Sequence, residues 1–244
     1  MIATLRAEFR KLLTVRSTYF LTGFAWLLVG FFSLYGVGYR AWEAGNASYL
    51  QTSLLQVMNP IQLFAAVVAI LLITHEYRYN TIMYTLTISN SRLKVLLSKF
   101  LVVGVYGVVF TLLTLALAVL EMYIGVKLGG HHFGVQHVDL WSVVGRSLAF
   151  ICGGAFVGMI FGFWSRSVVF AIVAYFILPS LEPLLHMWLK VSNNVLPFNA
   201  LAQIITPMRD SGALSALAAT GVFAAYLAVA WAASAVLFVR RDAN

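Results

Sequence analysis

Residues 75–99, HEYRYNTIMYTLTISNSRLKVLLSK, form a polar interruption between two long apolar stretches of the chain. The apolar stretch before it covers residues 57–74, and the one after it covers residues 96–125. Roughly 20 apolar residues in a helix cross a hydrocarbon core of about 30 Å, so each stretch is long enough to span a bilayer. We therefore predict a loop at the membrane surface between two spanning helices.

The composition supports the same class of protein over the whole chain. Of the 244 residues, 61% are hydrophobic and only 10% are charged, far from the balance of a water-soluble domain. Six apolar runs are continuous rather than alternating, which favours spanning helices over a membrane barrel. They lie near residues 18–39, 57–74, 96–125, 143–164, 168–188 and 214–239. We predict an all-α integral membrane protein with a single transmembrane domain over residues 1–244.

The basic residues predict the orientation of these helices. With six spans both termini lie on one side, and most of the 16 Lys and Arg residues fall on that side. By the positive-inside rule, both termini are expected in the cytoplasm, with the chain in the cell membrane of a prokaryote. The formal charge of +8 then reflects topology and contact with membrane lipids, and not nucleic-acid binding.

Residues 1–17 have the pattern of an amphipathic helix at the membrane surface. Five apolar side chains share one face of that helix: Ile2, Leu5, Phe9, Leu12 and Leu13. Four charged side chains lie outside this face: Arg6, Glu8, Arg10 and Lys11. The segment is either a surface anchor or an elbow helix that also contributes Phe9, Arg10 and Lys11 to the docking site of a cytoplasmic partner.

The cytoplasmic loop, residues 75–95, has its own local pattern. Glu76 and Arg78 are expected at the membrane surface, and Thr81 can cap a short helix that runs through Leu86. The Ser-Asn-Ser cluster at 89–91 can end this helix and cap the next one. A short surface helix that continues into a spanning helix longer than the bilayer is suited to transmit a displacement from outside the membrane into the spanning helices. The alternative is an ordinary solvated loop.

This loop carries a family resemblance. The pattern E-Y-R-x-N-T-I at residues 76–82, followed by Thr87 and by S-R-L-K-V-L-L-S-K at residues 91–99, resembles the ABC type-2 permease family. That family comprises membrane subunits of ATP-binding-cassette exporters, and the arrangement of the whole chain is similar to it. Asn80 stands where the family usually has Gly, and Asn also tolerates the left-handed backbone. Ser89 and Asn90 replace a common Pro.

The resemblance implies that the loop forms a coupling helix that docks into a groove of an ATPase subunit. The residues expected at this contact are Glu76, Arg78, Tyr79, Thr81, Leu86 and Arg92. The family also implies two ATPase subunits and a second permease subunit, either a second copy of this chain or a relative. The sequence contains no G-x-x-x-x-G-K-[ST] motif. We therefore expect no enzyme activity and no cofactor in this chain, with ATP and Mg bound by the partner.

The predicted outer segment, residues 179–213, contains the next set of candidate residues. Pro179 and Pro183 are predicted to break the fifth span, and Glu182 between them must face protein or water. In the family this region forms re-entrant helices that close the exit, and the run L-P-F-N-A-L with Pro197 and Phe198 resembles their start. The region is either an outer gate or an interfacial loop.

Three further features have two interpretations each. Glu121, near the outer end of the third span, snorkels outward or pairs with Lys127, or it contacts substrate. Gly154, Gly158 and Gly162 share one helix face, which favours internal packing over a dimer interface. The third feature is the set of His131, His132, His137 and Asp139, which we interpret as a polar loop and not as a metal site.

We predict a permease subunit of an ATP-driven exporter that moves an amphipathic substrate, such as a lipid, peptide or drug, by alternating access. One alternative is an ion-coupled secondary transporter, for which Glu121 and Glu182 are the candidate carboxylates. A second alternative is a membrane-embedded metal-dependent enzyme built on the outer histidines and Asp139.

Overall fold

The computed structural model describes residues 2–40, 47–89, 91–132, 138–189, 192–206 and 212–240, and in this part of the chain the regular structure is helical. The chain begins with α1 (Ile2–Thr14) and α2 (Arg16–Gly30), which continues as a π-helix over Phe31–Arg40. Next come α3 (Ala47–Arg78), α4 (Ile82–Ser89), α5 (Arg92–Leu128), α6 (Leu140–Ser165) and α7 (Val168–Leu189). A 3₁₀ turn (Asn193–Val195), α8 (Pro197–Ile205) and α9 (Ala216–Arg240) complete the described chain.

Six of these helices are long and apolar enough to cross a membrane, which confirms the predicted all-helical, six-span class. The candidate spans are Arg16–Tyr39, Tyr49–Arg78, Arg92–Leu128, Leu140–Ser165, Val168–Trp188 and Ala216–Val239. In the apolar stretch of α6, 72% of the residues are buried, against 17% for α2, α7 and α9. The helix α6 is thus central, and the three others present large apolar faces outward.

The second span begins earlier than the sequence analysis predicted. Residues 47–56 precede the predicted span at residues 57–74, but they form the first turns of α3. Leu50, Leu54 and Leu55 are buried in the core. Their spacing of four and five residues places them on one helix face, and burial of that face favours helix in spite of the polar residues between them.

The predicted break in the fifth span is absent. Pro179 and Pro183 both lie inside the continuous helix α7. Each proline removes one backbone donor, and a membrane helix tolerates this loss when neighbouring groups adjust. The spacing of four residues puts both rings on the same side of the helix, so the opposite side keeps its hydrogen bonds.

The glycine face of α6 packs against α3. A methyl group added at Gly158 would lie 2.5 Å from the carbonyl oxygen of Ala66, which leaves no room for any side chain. At Gly162 it would lie 3.1 Å from Cβ of Ile73, and Gly154 is covered by the side chain of Gln62. The two helices therefore come closest at Gly158, where a side chain would meet the backbone of α3, as small residues allow in membranes.

Candidate functional site

The chain between α3 and α5 forms a turn followed by the short helix α4. Asn80 has φ 53°, in the left-handed backbone region that Asn tolerates better than most residues. The backbone NH of Thr81 donates to the carbonyl of Glu76 at 2.9 Å, which closes the turn. We call the turn together with α4, residues 79–89, the loop segment. We call the end of the bundle where it lies the loop end.

The helix α4 is three residues longer than predicted. It begins directly after Thr81, whose carbonyl accepts from the Thr85 NH at 3.2 Å, and it ends at Ser89 rather than at Leu86. Ser91 stands at the start of α5 as expected, but its side chain makes no capping hydrogen bond. Leu86 packs against the hydrophobic core, so this predicted docking residue also anchors α4.

A buried ion network connects the loop end of four helices. Glu8 of α1 and Lys99 of α5 are completely buried, and Glu76 of α3 is 4% exposed. Lys99 contacts Glu8 and Glu76 at 2.8 Å each, and Lys11 contacts the same two carboxylates at 2.8 and 2.5 Å. Lys11 also donates to the hydroxyl of Thr85 in α4 at 3.2 Å. Two carboxylates and two ammonium groups thus alternate around a closed ring.

The charges within this ring stabilise one another. Burial alone would raise the pKa of Glu8, but Lys99 and Lys11 outweigh it and hold the pKa below its ordinary value. Burial by itself would lower the pKa of Lys11, but Glu76 and Glu8 outweigh it and raise this pKa above its ordinary value. Buried charges in such an arrangement depend on all partners, because removal of one leaves its neighbours without compensation. The ring therefore connects α1, α3, α4 and α5, and this connection depends on all four charged side chains.

The sequence analysis missed two members of this ring. Glu8 was assigned to the polar face of α1, but the protein packs against that face. Lys99 lies three residues after Leu96 and four before Val103, both buried, so helical spacing already placed it on an inward face. An inward lysine requires a carboxylate partner, and this pattern was available to predict one.

The other predicted loop residues have different surroundings. Arg78 lies over the ring of Tyr79, 5.7 Å from its centre, and Tyr79 is exposed. The Arg92 guanidinium donates to the carbonyl of Val239 at 3.0 Å, so it holds the end of α9. In α1, Phe9 packs with a small apolar cluster and Arg10 is exposed.

At the opposite end of the bundle, which we call the far end, α8 is held by charged side chains from two neighbouring helices. Glu182 of α7 accepts hydrogen bonds from the backbone NH groups of Phe198 and Asn199 at 2.7 and 2.8 Å, and from the Asn199 amide at 2.7 Å. Arg146 of α6 donates to the carbonyls of Ile204 and Ile205 at 2.5 and 3.1 Å. A negative group at the start and a positive group at the end both favour the dipole of α8.

We call the contacts of Glu182 and Arg146 with the two ends of α8 the clamp, and they explain why a carboxylate is buried at position 182. The residue is 3% exposed and faces protein, and it takes the capping role that Leu196, at the N-cap position, cannot fill. Pro197 occupies the first position of α8, where its missing NH costs nothing. Residues 190–191 and 207–211 of the predicted outer segment lie outside the described residues.

An apolar cavity of about 270 Å³ lies beside the start of α8. Side chains of α6, α7, α8 and α9 line it, and Glu182 is its one carboxylate among the described residues. Its aromatic lining residues are Phe161, Trp164, Phe198, Phe223 and Tyr226.

The remaining candidates are dispersed. Glu121 lies against Gly30 of α2, and its buried Oε2 has no hydrogen-bond partner. The predicted pair with Lys127 does not form, since the Lys127 ammonium lies over the ring of Tyr123, 5.8 Å from its centre. Among the described residues no three His, Cys, Asp or Glu side chains form a metal-binding group, and His137 lies outside them.

These features are those of a multi-pass membrane protein in which buried charged side chains connect helices at both ends of the bundle. A family model described as "ABC-2 family transporter protein" matches residues 4–182, which is more than half of the chain. The chain therefore belongs to this family of ABC transporter membrane permeases, which lack an ATPase domain of their own and typically carry no cofactor. No curated protein matches it.

Proposed function

We propose that this chain is the permease subunit of an ATP-driven exporter whose loop segment docks on a separate ATPase. The main supporting observation is the buried ion ring. It joins the loop segment to α1, α3 and α5 through contacts of 2.5 to 3.2 Å. A displacement of the loop segment therefore acts on two long spanning helices at once.

The exposed surface of the loop segment supports docking of a protein. Tyr79 and Tyr84 are 64% and 73% exposed, and Met83 is also exposed. Arg78 stands beside Tyr79 and adds a positive charge. Exposed aromatic side chains with an adjacent arginine are typical anchor residues of protein interfaces. Arg92 and Leu86, in contrast, act here through the packing of α9 and α4.

The transmission path then follows α5. This helix runs from Arg92 to Leu128 and, at about 1.5 Å per residue, extends roughly 55 Å. It contacts α1 and α4 near its start and the π-helix near its other end, at Met122 and Gly125. We infer that ATP-driven closure of two ATPase subunits moves this lever relative to a second permease subunit, as alternating access requires.

The far end serves as the outer gate in this proposal. The clamped helix α8, with Pro197 and Phe198 at its start, closes the bundle beside the apolar cavity, and Pro179 and Pro183 of α7 flank the clamp. The aromatic lining of the cavity supports an amphipathic substrate such as a lipid, a peptide or a drug. Both carboxylate oxygens of Glu182 accept hydrogen bonds, so the ion-coupled alternative depends on Glu121, whose Oε2 has no partner.

The proposed orientation puts the termini and the loop segment in the cytoplasm, with α1 as an elbow helix at the membrane surface. Its exposed Arg10 and the neighbouring Lys11 then lie beside the ATPase contact. ATP and Mg bind to the ATPase and not to this chain.

Purification of the chain from its own membranes in mild detergent tests the proposal. We expect a stoichiometric ATPase subunit to co-purify, and Arg78→Glu or Tyr84→Ala to reduce its recovery. Leu128→Ala, a change of an exposed apolar residue at the other end of α5, serves as the matched control and should leave recovery unchanged. A stable chain that purifies without any ATPase would contradict the proposal.

A further inference from the structure

A second cavity lies at the loop end, between the junction of α1 with α2 and the last turns of α3. Its volume is about 490 Å³. The polar part of its wall contains Lys11, Arg16, Ser17, His75 and Glu76. The apolar part contains Leu12, Val15, Val68, Leu71 and Leu72. A wall that is charged in one part and apolar in the other suits an amphipathic ligand.

Two buried oxygen atoms that belong to lining residues of this cavity lack a hydrogen-bond partner. Oε1 of Glu76 accepts a hydrogen bond from Lys11 and forms an ion pair with Lys99, while Oε2 is buried and has no hydrogen-bond partner. The hydroxyl of Ser17 is also buried without a partner. Buried polar atoms without partners are costly and uncommon. A carboxylate oxygen in this state indicates a missing donor, and a hydroxyl indicates a missing acceptor or donor.

The charges of the lining select the kind of ligand. Lys11 and Glu76 compensate each other within the ion ring, so Arg16 leaves the cavity with an excess of positive charge. A ligand with a negative group near Arg16 and Ser17 is favoured. A ligand ammonium near Glu76 is disfavoured, because Lys11 and Lys99 already stand beside that carboxylate. A neutral hydroxyl meets the need of Glu76 without this repulsion.

We propose that this cavity binds an anionic glycerophospholipid whose headgroup carries hydroxyl groups, of the phosphatidylglycerol type. A headgroup hydroxyl donates to Oε2 of Glu76, and the phosphate accepts from the Ser17 hydroxyl beside Arg16. One acyl chain lies along Val68, Leu71 and Leu72 of α3. The lipid thus fills the gap between α1 and the spanning helices, next to the ion ring.

Lipid binding by the purified full chain tests this site, with native mass spectrometry as the measurement. Three lipids with equal acyl chains are compared: phosphatidylglycerol, phosphatidylmethanol and phosphatidylcholine. Phosphatidylmethanol keeps the negative charge but has no headgroup hydroxyl. We expect phosphatidylglycerol to bind about tenfold more tightly than phosphatidylmethanol, as one hydrogen bond to a charged acceptor allows. Equal binding of the two anionic lipids would overturn the proposal.

Two variants locate the binding on the chain. Leu71→Trp fills the cavity and should remove the preference for phosphatidylglycerol, whereas Leu101→Trp on the exposed face of α5 should keep it. Ser17→Ala is a smaller change for the case in which the tryptophan variant does not fold. It should weaken both anionic lipids alike by about tenfold at most. Full binding in both cavity variants would place the lipid elsewhere, and the assay involves no ATPase, so it is independent of the proposed export function.

Discussion

Replacement of Lys99 by alanine should destabilise the protein more than any other single lysine change at the loop end. Lys99 is completely buried and contacts Glu8 and Glu76 at 2.8 Å each. Without it, both carboxylates depend on Lys11, whose side chain is 35% exposed. Removal of one member of a buried ion pair costs about 3–5 kcal/mol. For a chain of this size that corresponds to a fall in Tm of roughly 6–20 °C.

The assay is thermal unfolding of the purified chain in one detergent, with two lysine controls. Lys11→Ala also removes two ion pairs, but water reaches Lys11 and replaces part of the loss, so its Tm should fall less. Lys94→Ala, on the exposed side of the same helix as Lys99, should change Tm little. The predicted order of destabilisation is Lys99, then Lys11, then Lys94. A Lys99 variant as stable as the Lys94 variant would refute the reasoning, since it would mean that the buried carboxylates of Glu8 and Glu76 do not depend on Lys99.

Three further predictions follow from the two ends of the bundle and from the packing between α3 and α6. The pKa of Glu8 is lower in the folded protein than its ordinary value of 4.5, so the ionised carboxylate stabilises the fold above pH 4.5, and this stabilisation is lost as the pH falls through the lower folded pKa. Glu8→Gln should therefore flatten the acid limb of a plot of Tm against pH, and an unchanged limb would count against this prediction. Glu182→Ala should cost about 2–4 kcal/mol because three hydrogen bonds to a carboxylate are lost and the backbone NH groups of Phe198 and Asn199 keep no partner. Ser180→Ala should be nearly neutral in the same unfolding assay, and equal effects would argue against the clamp. Gly158→Ala should destabilise the protein by about 1–3 kcal/mol because the added methyl group meets the backbone of α3. Gly145→Ala, in an open part of the same helix, should be neutral or stabilising, and the reverse order would show that α3 and α6 do not touch at Gly158.

Much of the fold could be predicted because it depends on hydropathy alone. The six spans follow from apolar runs of span length, and helical class follows from the need to pair every backbone group inside the bilayer. The boundaries were less predictable. Residues 47–56 contain polar side chains, and only the buried position of Leu50 and Leu54 explains why they are helical.

Local patterns indicate that Lys99 faces inward, but they do not identify which residues pair with each other in the ion ring or at α8. The ring of Glu8, Lys11, Glu76 and Lys99 joins residues that are far apart in sequence, and only the packing of α1 against α3 and α5 brings them together. Prolines in α7 pointed to a broken helix, because local sequence cannot report how a neighbouring element compensates for missing donors.

Glu182 is the clearest example of a side chain whose partners the local sequence does not specify. Its depth in the bilayer predicted that it must face protein or water, and it does face protein. Its partners, the first backbone NH groups of α8, lie sixteen and seventeen residues later. Nothing in the local sequence specifies that pairing, and Arg146 at the other end of α8 carried no pattern that distinguished it.

The most direct test of the central claim is a site-specific cross-link between the loop segment and an ATPase subunit. Cys152 is first replaced by alanine, since it is the one cysteine of the chain. A single cysteine is then introduced as Tyr84→Cys in α4, or as Leu217→Cys at the start of α9, where Leu217 is 87% exposed at the far end. We expect a cross-linked ATPase band in membranes with the first variant and none with the second. An ATPase band from Leu217→Cys alone, or no band from Tyr84→Cys in membranes where the ATPase is present, would contradict the account.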